Sequence, residues 1–291
     1  MLKHSIDPRI HHQMRALSPT CCGNLGEDGA DDDLPELAAA VNNLSLRLAE
    51  LGRLDEALDL MREAVSHYRR LASTDPSFLP DLAICLNNLS NRLAEVGQRE
   101  EALAPVEEAA EHYRKLATAD PESFLPDLAL SLNNLSVRLA EVERPEEGLG
   151  PIQAAVAIRR ALVVADRSVA KALRKGHRAE IVDLLAQGAD SLPNLAASLN
   201  NLSVRLMELG RWEEALAPIQ EAVRYYRTLA RASREAFLPD LSLSLSNLSG
   251  ILAEVGRSKE AELVAREAAV LGPPYEWLPD ASRSGATVGQ P

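Results

Sequence analysis

The side chains with the clearest chemical potential in this sequence are asparagine amides, which occur in adjacent pairs. Asparagine is a mediocre helix former, so its recurrence inside helical patterns needs a cause. A carboxamide offers both a hydrogen-bond donor and an acceptor. It can therefore hold the main chain of an extended polypeptide, or bridge two neighbouring helices and fix their register, and the two roles are compatible. The pairs are Asn42 with Asn43, Asn87 with Asn88, Asn133 with Asn134, and Asn200 with Asn201, and a fifth copy reads Ser246 with Asn247.

Motifs for catalysis or metal binding are missing from the sequence. It contains no G-x-x-x-x-G-K-[ST] phosphate loop, no G-x-G-x-x-G after a strand and no H-E-x-x-H. His67 and His112 share one repeat position with Ile158 and Tyr225, which indicates a packing position. The sequence therefore predicts a chain without enzymatic activity, cofactor or metal ion. Five other residues have a spacing that matches no recognised metal site: His4, His11, His12, Cys21 and Cys22.

The composition excludes several classes of partner. The 291 residues include 31 Lys and Arg against 43 Asp and Glu, a net charge of −12, and only 3% are aromatic. This balance argues against nucleic-acid and anionic-membrane binding. No apolar run approaches the roughly 18 residues of a spanning helix. Three cysteines, Cys21, Cys22 and Cys85, cannot form a disulfide framework, so we expect a cytoplasmic protein.

Two markers show that the chain is built from repeats. The dipeptide Leu-Pro begins at residues 34, 79, 125, 192 and 238, with steps of 45, 46, 67 and 46. The second asparagine of each pair follows the same steps. Because both markers keep one register, the chain contains five units, and the long step indicates an insertion of about 21 residues in the third unit.

Each unit reads as two amphipathic helices. In the second unit, Pro80 suits a first helical turn, Gly97 ends the first helix, and Asp120-Pro121 stops the second helix. Apolar residues recur at three- or four-residue intervals in both helices, as on one helix face. The first stripe is Leu82, Leu86, Leu89, Leu93 and Val96, and the second is Ala102, Val106, Ala109, Ala110, Tyr113 and Leu116.

The units resemble the tetratricopeptide repeat family. The second unit shows its pattern in Asn88-Leu89-Ser90, Gly97, Glu101-Ala102 and Ala109. The fourth unit shows it in Asn201-Leu202-Ser203, Gly210, Glu214-Ala215 and Ala222. Serine replaces the family's small glycine, leucine replaces the usual aromatic residues, and the unit exceeds the usual 34 residues. The greater length is similar to the kinesin-light-chain-like branch and to bacterial tandem arrays.

The resemblance implies an all-α, right-handed α-solenoid of about five helix-turn-helix hairpins with one inserted helical hairpin. Small residues would stand where the two helices of a hairpin cross closely: Ser45, Ser90, Ser136, Ser203 and Ser249 in the first helices, and Ala57, Ala102, Gly148, Ala215 and Ala261 in the second. We expect disorder over 1–33, the superhelix over 34–271 and a tail over 272–291 that caps the open end of the stack. The predicted repeats are 34–78, 79–124, 125–191 with an insertion over about 167–190, 192–237 and 238–271.

The insertion is similar to the helical half of one ankyrin repeat, and a basic stretch overlaps its first half. Residues 159–178 carry seven basic side chains against Asp166 alone. These side chains either pair with the acidic repeats of the same chain or dock an acidic partner. The candidate docking patch comprises Arg167, Lys171, Arg174, Lys175 and Arg178.

The resemblance also suggests a binding groove, because in the family the asparagine positions line the concave face. Relatives that grip an acidic C-terminus carry Lys or Arg where this chain has Ile84, Leu130 and Asn134. A row of carboxylates, each three residues after an arginine in the first four units, runs beside the asparagines: Glu50, Glu95, Glu141, Glu208 and Glu254. We expect a protein-binding scaffold whose groove takes a neutral or basic extended peptide or a partner helix. The alternative is a self-associating or regulatory sensor module that forms homo-oligomers through uncapped ends, or works with a nucleotide-switch partner.

Overall fold

The computed structural model describes residues 34–166, 168–169, 171, 184 and 191–271. Ten long helices account for most of these residues, and no β-strand occurs among them. They fall into two compact units that divide between residues 121 and 122. The expectation of an all-α chain of tandem hairpins is confirmed, while the expected N-terminal disorder, most of the insertion and the C-terminal cap lie outside the described residues.

The first unit contains two helical hairpins. Helices α1 (Leu34–Glu50) and α2 (Leu54–Thr74) form the first, and α3 (Leu79–Glu95) and α4 (Leu103–Ala119) form the second. A 3-10 turn (Pro76–Phe78) joins them, and α2 packs on both α1 and α3. Their shared interior buries large side chains such as Leu60, Met61 and Leu86. The two hairpins therefore have one continuous core, as stacking of tandem repeats requires.

The second unit contains three hairpins. Their helices are α5 (Pro121–Glu141) with α6 (Pro145–Ala165), α7 (Ser191–Glu208) with α8 (Trp212–Ala232), and α9 (Arg234–Glu254) with α10 (Ser258–Leu271). Helix α7 packs on α6 as well as α8, and α9 packs on α8 as well as α10. The insertion lies in the sequence between the end of α6 and the start of α7. Because α6 and α7 pack on each other, the stacking of hairpins continues past it.

Each first helix is ended by a residue with a left-handed backbone. Gly52, Gly97, Gly210 and Gly256 have φ between 66° and 82°. At Gly52, the N–H bonds to the Ala49 carbonyl at 2.9 Å and the next N–H bonds to the Leu48 carbonyl at 2.9 Å, as in a Schellman motif. The third hairpin forms the same motif with Glu143, whose φ is 60°. A residue with a side chain is strained at positive φ. Among these five turns, Glu143 is the one residue with a side chain at this position.

The two helices of each hairpin meet at small residues, as the sequence predicts. Ala57, Ala102, Gly148, Ala215 and Ala261 are buried. The Ser45 hydroxyl donates to the Ala57 carbonyl at 2.6 Å, and the Ser249 hydroxyl to the Ala261 carbonyl at 3.0 Å. At Gly148 a Cβ atom would lie 3.0 Å from the Ser136 carbonyl oxygen. The crossing in the third hairpin is therefore tight enough to favour glycine over alanine.

Two first helices begin earlier than the Leu-Pro marker indicates. Helix α5 starts at Pro121 and α9 at Arg234, so Pro126 and Pro239 lie inside helices. A proline leaves the carbonyl four residues before it without its helical partner. Here that carbonyl belongs to Glu122 or Glu235, both exposed in the first turn, where water can satisfy it. The prediction that helices start at Leu-Pro is therefore wrong for these two hairpins and correct for α3.

A recurrent ion pair marks the start of the second helices. Arg53 and Glu56 form two hydrogen bonds of 2.7 and 2.6 Å, and the same pair recurs as Arg144 with Glu147, Arg211 with Glu214, and Arg257 with Glu260. The second hairpin has Gln98 in place of this arginine, and its second helix begins only at Leu103. Loss of the bidentate pair coincides with the one late helix start.

Helix α6 is long and apolar enough, by length and composition alone, to cross a membrane, with a mean hydropathy of 1.3 over its most apolar stretch. This differs from the expectation that no run would approach the length of a spanning helix. In the structure Ile152, Ala155 and Val163 of α6 are buried, and Arg159 within it donates hydrogen bonds to α7. These buried residues belong to the core of the second unit, whereas Val164 of the same helix is exposed.

The Glu143 turn gives the first prediction. We expect Glu143→Gly to raise the free energy of unfolding by about 1 kcal/mol, because glycine adopts a positive φ without the side-chain penalty. Chemical denaturation followed by circular dichroism measures this change. Glu143→Ala is the control, since it removes the carboxylate but keeps the Cβ, and equal stabilisation by both variants would contradict backbone strain as the cause.

Candidate functional site

The asparagines of the second unit form a hydrogen-bonded ladder between successive first helices. The Asn133 Oδ1 atom of α5 accepts hydrogen bonds from Ser198 Oγ at 3.3 Å and from Asn201 Nδ2 at 3.1 Å, both in α7. The Asn200 Oδ1 atom of α7 accepts from Ser244 Oγ and Asn247 Nδ2 of α9, both at 3.1 Å. The first asparagine of each pair is therefore the acceptor, and the second asparagine of the next pair is the donor.

The first unit has one rung of the same kind. Asn42 Oδ1 of α1 accepts from Asn88 Nδ2 of α3 at 3.4 Å and from the Cys85 thiol at 3.5 Å. Cys85 occupies the position of Ser198 and Ser244, three residues before the second asparagine. A thiol is a weak donor, so this rung is the weaker version of the contact.

The ladder bears on the two roles proposed for the amides. Of the predicted residues, Asn42, Asn88, Asn133, Asn200, Asn201 and Asn247 belong to its rungs. Asn87 is buried, Asn134 is half-buried, and Asn43 is exposed. The bridging role is therefore present in the structure. The binding role stays a prediction, and it now applies to the amide atoms of half-buried asparagines that the rungs do not use, such as Asn201 Oδ1 and Asn247 Oδ1.

Burial makes Cys85 unreactive. The side chain is almost completely buried, and burial, together with the negative charge of Asp81, raises the pKa of its thiol to about 12. A thiolate is the reactive form of cysteine. The position therefore serves packing and the Asn42 rung.

The second asparagines form one row of side chains, with a row of aliphatic residues on one side and a row of glutamates on the other. In the second unit no member of the three rows is fully buried. Each first helix of that unit carries an aliphatic residue four positions before the asparagine and a glutamate seven positions after it. Residues spaced by four and by eleven lie on one side of a helix. We call this surface the amide face. In the second unit it comprises Leu130, Ala197 and Leu243; Asn134, Asn201 and Asn247; and Glu141, Glu208 and Glu254.

Arginines lie beneath the glutamates of the amide face. Arg205 pairs with Glu208, and the side chain of Arg205 is 9% exposed while that of Glu208 is 39% exposed. Arg138 and Glu141 pair in the same way at 2.9 Å. The fifth hairpin has the buried Ile251 in place of this arginine, so Glu254 has no cation three residues before it. The groups that reach solvent along this edge are therefore carboxylates.

In the first unit, burial of this arginine depends on a preceding first helix. Arg47 of α1 is 76% exposed, whereas the side chain of Arg92 of α3 is 15% exposed. Arg92 lies in a cleft with Leu46, Ala49 and Leu54. The aliphatic stem of the arginine thus covers apolar residues of the hairpin before it, a contact that the local pairing expected from sequence does not include.

Arg159 is a buried cation that sequence reasoning assigned only to a basic stretch. Its Nη1 atom donates to the Asn194 carbonyl at 2.7 Å and to Ser198 Oγ. Burial lowers the pKa of Arg159 to about 10. A comparison of the repeats could have revealed it, because the equivalent residues are Tyr68, Tyr113 and Tyr226. Through Ser198, Arg159 connects α6 to the Asn133 rung.

The remainder of the basic stretch is described only in part, and its docking role stays a prediction. Arg160 pairs with Glu221 of α8, so Arg159 and Arg160 both make intramolecular contacts. Lys171 is exposed. The other members of the candidate docking patch, Arg167, Arg174, Lys175 and Arg178, lie outside the described residues. Across the part of the chain that the structure describes, no group of three His, Cys, Asp or Glu side chains could hold a metal ion.

Comparison with known proteins identifies the repeat. The family model described as tetratricopeptide repeat matches residues 37–77, 82–120 and 195–230. No curated protein matches the sequence significantly.

Solved structures share the fold at low identity. A Podosopora anserina protein described as a putative kinesin light chain with nearly identical TPR-like repeats is 16% identical, with a TM-score of 0.56 over 87% of this chain and 99% of that one. A substituted form of the same protein gives a TM-score of 0.57 at 16% identity over 82% and 95%. A Rap protein complexed with competence and sporulation factor gives 0.54 at 13% identity over 94% of this chain and 65% of that one.

The ladder predicts unequal effects of removing two amides. Asn200→Ala should lower the free energy of unfolding by about 1–3 kcal/mol, because the buried Ser244 hydroxyl loses its acceptor. Asn43→Ala should cost less than about 0.5 kcal/mol, because Asn43 is exposed. Urea denaturation of both variants measures the difference. The same midpoint shift for both would show that the ladder does not contribute to stability.

Cys85 gives a prediction that depends on pH. In a Cys21→Ser, Cys22→Ser background, the thiol should react with a disulfide reagent at pH 8 about three orders of magnitude more slowly than an exposed cysteine, because its pKa is raised to about 12. The unfolded chain loses the thiol proton first, so stability should fall as the pH rises from about 9 towards 12. Labelling in urea is the control, and equally fast labelling without urea would contradict the burial.

Proposed function

Because this chain is a tetratricopeptide repeat protein, we propose that it is a non-enzymatic scaffold that binds an extended segment of another protein along the amide face. The observation that carries the proposal is the ladder itself. Its rungs use Oδ1 of the first asparagines and one N–H of the second, and leave Oδ1 and the other N–H of the half-buried Asn201 and Asn247 for a ligand. Main-chain N–H and C=O groups are the natural complement of such a surface.

The partner of the amide face is a neutral or basic polypeptide. The exposed groups of its polar edge are carboxylates, since the arginines lie beneath them. The net charge of the whole chain is −12, which favours encounter with cations over anions. The preformed register of the helices lowers the entropy cost of binding, because the scaffold side of the interface is already ordered.

One observation favours the alternative of self-association. Helix α10 exposes Leu263 and Val270, which are 64% and 86% accessible, and it buries only Ala261 and Ala268. Exposed apolar ends of a repeat stack invite pairing with another chain. Light scattering coupled to size-exclusion chromatography separates the two proposals: a dimer that Leu263→Glu with Val270→Glu dissociates favours assembly, and a monomer at all concentrations removes it.

The peptide-binding proposal predicts loss of affinity on removal of amides. Peptides selected from a random displayed library against the whole chain should bind at least tenfold more weakly to an Asn134→Ala, Asn201→Ala, Asn247→Ala variant, because each lost hydrogen bond contributes about 0.5–1.5 kcal/mol. Fluorescence anisotropy measures the affinity, and circular dichroism checks that helix content is kept.

The matched control removes amides from the second helices. Gln153→Ala with Gln220→Ala deletes two exposed carboxamides of α6 and α8 and should leave the affinity unchanged. Selected peptides that tolerate the asparagine variant, or that lose as much affinity with the glutamine variant, would move the binding surface away from the amide face.

A further inference from the structure

Resting on the proposed function, the geometry of the amide face points to a more specific ligand: we infer that it recognises an extended segment with a three-residue period, in which one residue is aliphatic and one is Lys or Arg. The second unit carries three copies of each row, on α5, α7 and α9.

The rows keep a fixed order along each helix. In α9, Leu243, Asn247 and Glu254 follow one another on one side of the helix. At about 1.5 Å per residue, the aliphatic position lies about 6 Å and the carboxylate position about 10 Å from the asparagine along the axis. The same spacing holds in α5 and α7 because the sequence offsets are identical.

The rungs align these rows between helices. They join Asn133 to Asn201 and Asn200 to Asn247, so each first helix is held in the same register as the next. The side chains of one type therefore form lines that run across the helices. A ligand main chain on the asparagine line has an aliphatic line on one side and a carboxylate line on the other.

Each line accepts a different side-chain chemistry. Leu130 and Leu243 are 44% and 43% exposed, and contact with an apolar ligand side chain would remove this area from water. The carboxylate line is farther from the main chain, so it suits a long side chain with a cation at its tip. Lysine and arginine meet both requirements, and a short acidic residue meets neither.

The spacing of the helices sets the period of the ligand. The first helices α7 and α9 contact each other directly, and helices in contact lie about 8–10 Å apart. An extended or polyproline-type chain advances about 3.1–3.4 Å per residue. One repeat of the scaffold therefore matches about three ligand residues. In a polyproline-type helix every third side chain faces the same way, so a single arrangement satisfies all copies of the two lines.

The test uses synthetic twelve-residue peptides and the whole chain, with affinity measured by fluorescence anisotropy. The probe is (Leu-Lys-Pro) repeated four times, in which proline prevents both helix and strand. We expect it to bind at least tenfold more tightly than the same residues in an order without a three-residue period, and than (Leu-Glu-Pro) repeated four times. A fourth peptide, with Leu and Lys at helical spacing and Ala for Pro, tests a helical ligand.

Two variants assign the lines. Leu130→Ser with Leu243→Ser should reduce affinity for the probe about fivefold or more and abolish its advantage over the aperiodic peptide. Glu254→Gln should reduce affinity for the probe about twofold to threefold and weaken the salt dependence of its binding. This variant removes no ion-pair partner from a buried arginine, because Ile251 stands at the arginine position. Glu213→Gln on the second helix α8 is the matched control for charge and should have no effect.

The outcomes separate this inference from the function on which it rests. Equal affinity for the periodic and aperiodic peptides, with both weakened by the asparagine variant, overturns the three-residue period and leaves the peptide-binding scaffold intact. Preference for the helical peptide has the same meaning. If the asparagine variant binds the probe and the library-selected peptides as tightly as the unchanged chain does, both proposals are wrong.

Discussion

The structure depends on one kind of shared acceptor, the carboxamide oxygen of a first asparagine, which is seen at Asn42, Asn133 and Asn200. No hairpin can bury its inner surfaces alone, so the repeats must stack, but apolar contacts between Leu and Ala side chains are tolerant of small shifts. A single oxygen that accepts one hydrogen bond from an amide and one from a hydroxyl of the next repeat is not tolerant of them. Displacement by one residue would leave a buried Ser244 hydroxyl without a partner, which is costly in a low-dielectric interior. Apolar contacts bring the repeats together, and the amides fix the register on which the amide face depends.

The sequence predicted the architecture correctly, but it did not predict the exact helix starts or the hydrogen-bond partners of individual side-chain atoms. Periodicity and the recurring Leu-Pro and Asn-Leu-Ser markers predicted five hairpins, and the small residues at Ser45 and Ala57 predicted where helices cross. Helix starts in α5 and α9 were wrong because tertiary context and solvent satisfied a carbonyl that Pro126 or Pro239 leaves unbonded. The bridging and binding roles of asparagine could not be separated, because a sequence does not say which amide atom faces a neighbour. The repeat position occupied by Cys85, Ser198 and Ser244 does indicate bridging. A small hydrogen-bond donor recurs there, and each one donates to the carboxamide oxygen of a first asparagine.

The third hairpin concentrates the departures from the repeat pattern. It has Glu143 where the other turns have glycine, Gly148 where the other crossings have alanine, and Arg159 where three other hairpins have a buried tyrosine. Each change is local, and each is accommodated: the turn keeps its Schellman bonds, the crossing becomes closer, and Arg159 donates to the carbonyl and hydroxyl that α7 offers. This hairpin also carries the insertion between α6 and α7. The hydrogen bonds of Arg159 join α6 to α7, the two helices that the insertion separates in sequence.

The rungs also remove a freedom that surface amides normally have. An exposed asparagine can rotate its terminal group by half a turn and exchange donor for acceptor. Such a flip at Asn133 or Asn200 alone would set an NH2 group against the Nδ2 donor of Asn201 or Asn247, so the two amides of a rung can turn over only together. In both rungs of the second unit the second asparagine, Asn201 or Asn247, donates through Nδ2 and keeps its C=O outside the rung, so the order of groups is the same from helix to helix. A polypeptide is itself polar from N-terminus to C-terminus, so a segment bound along the amide face as proposed would meet this order of groups differently from its reverse.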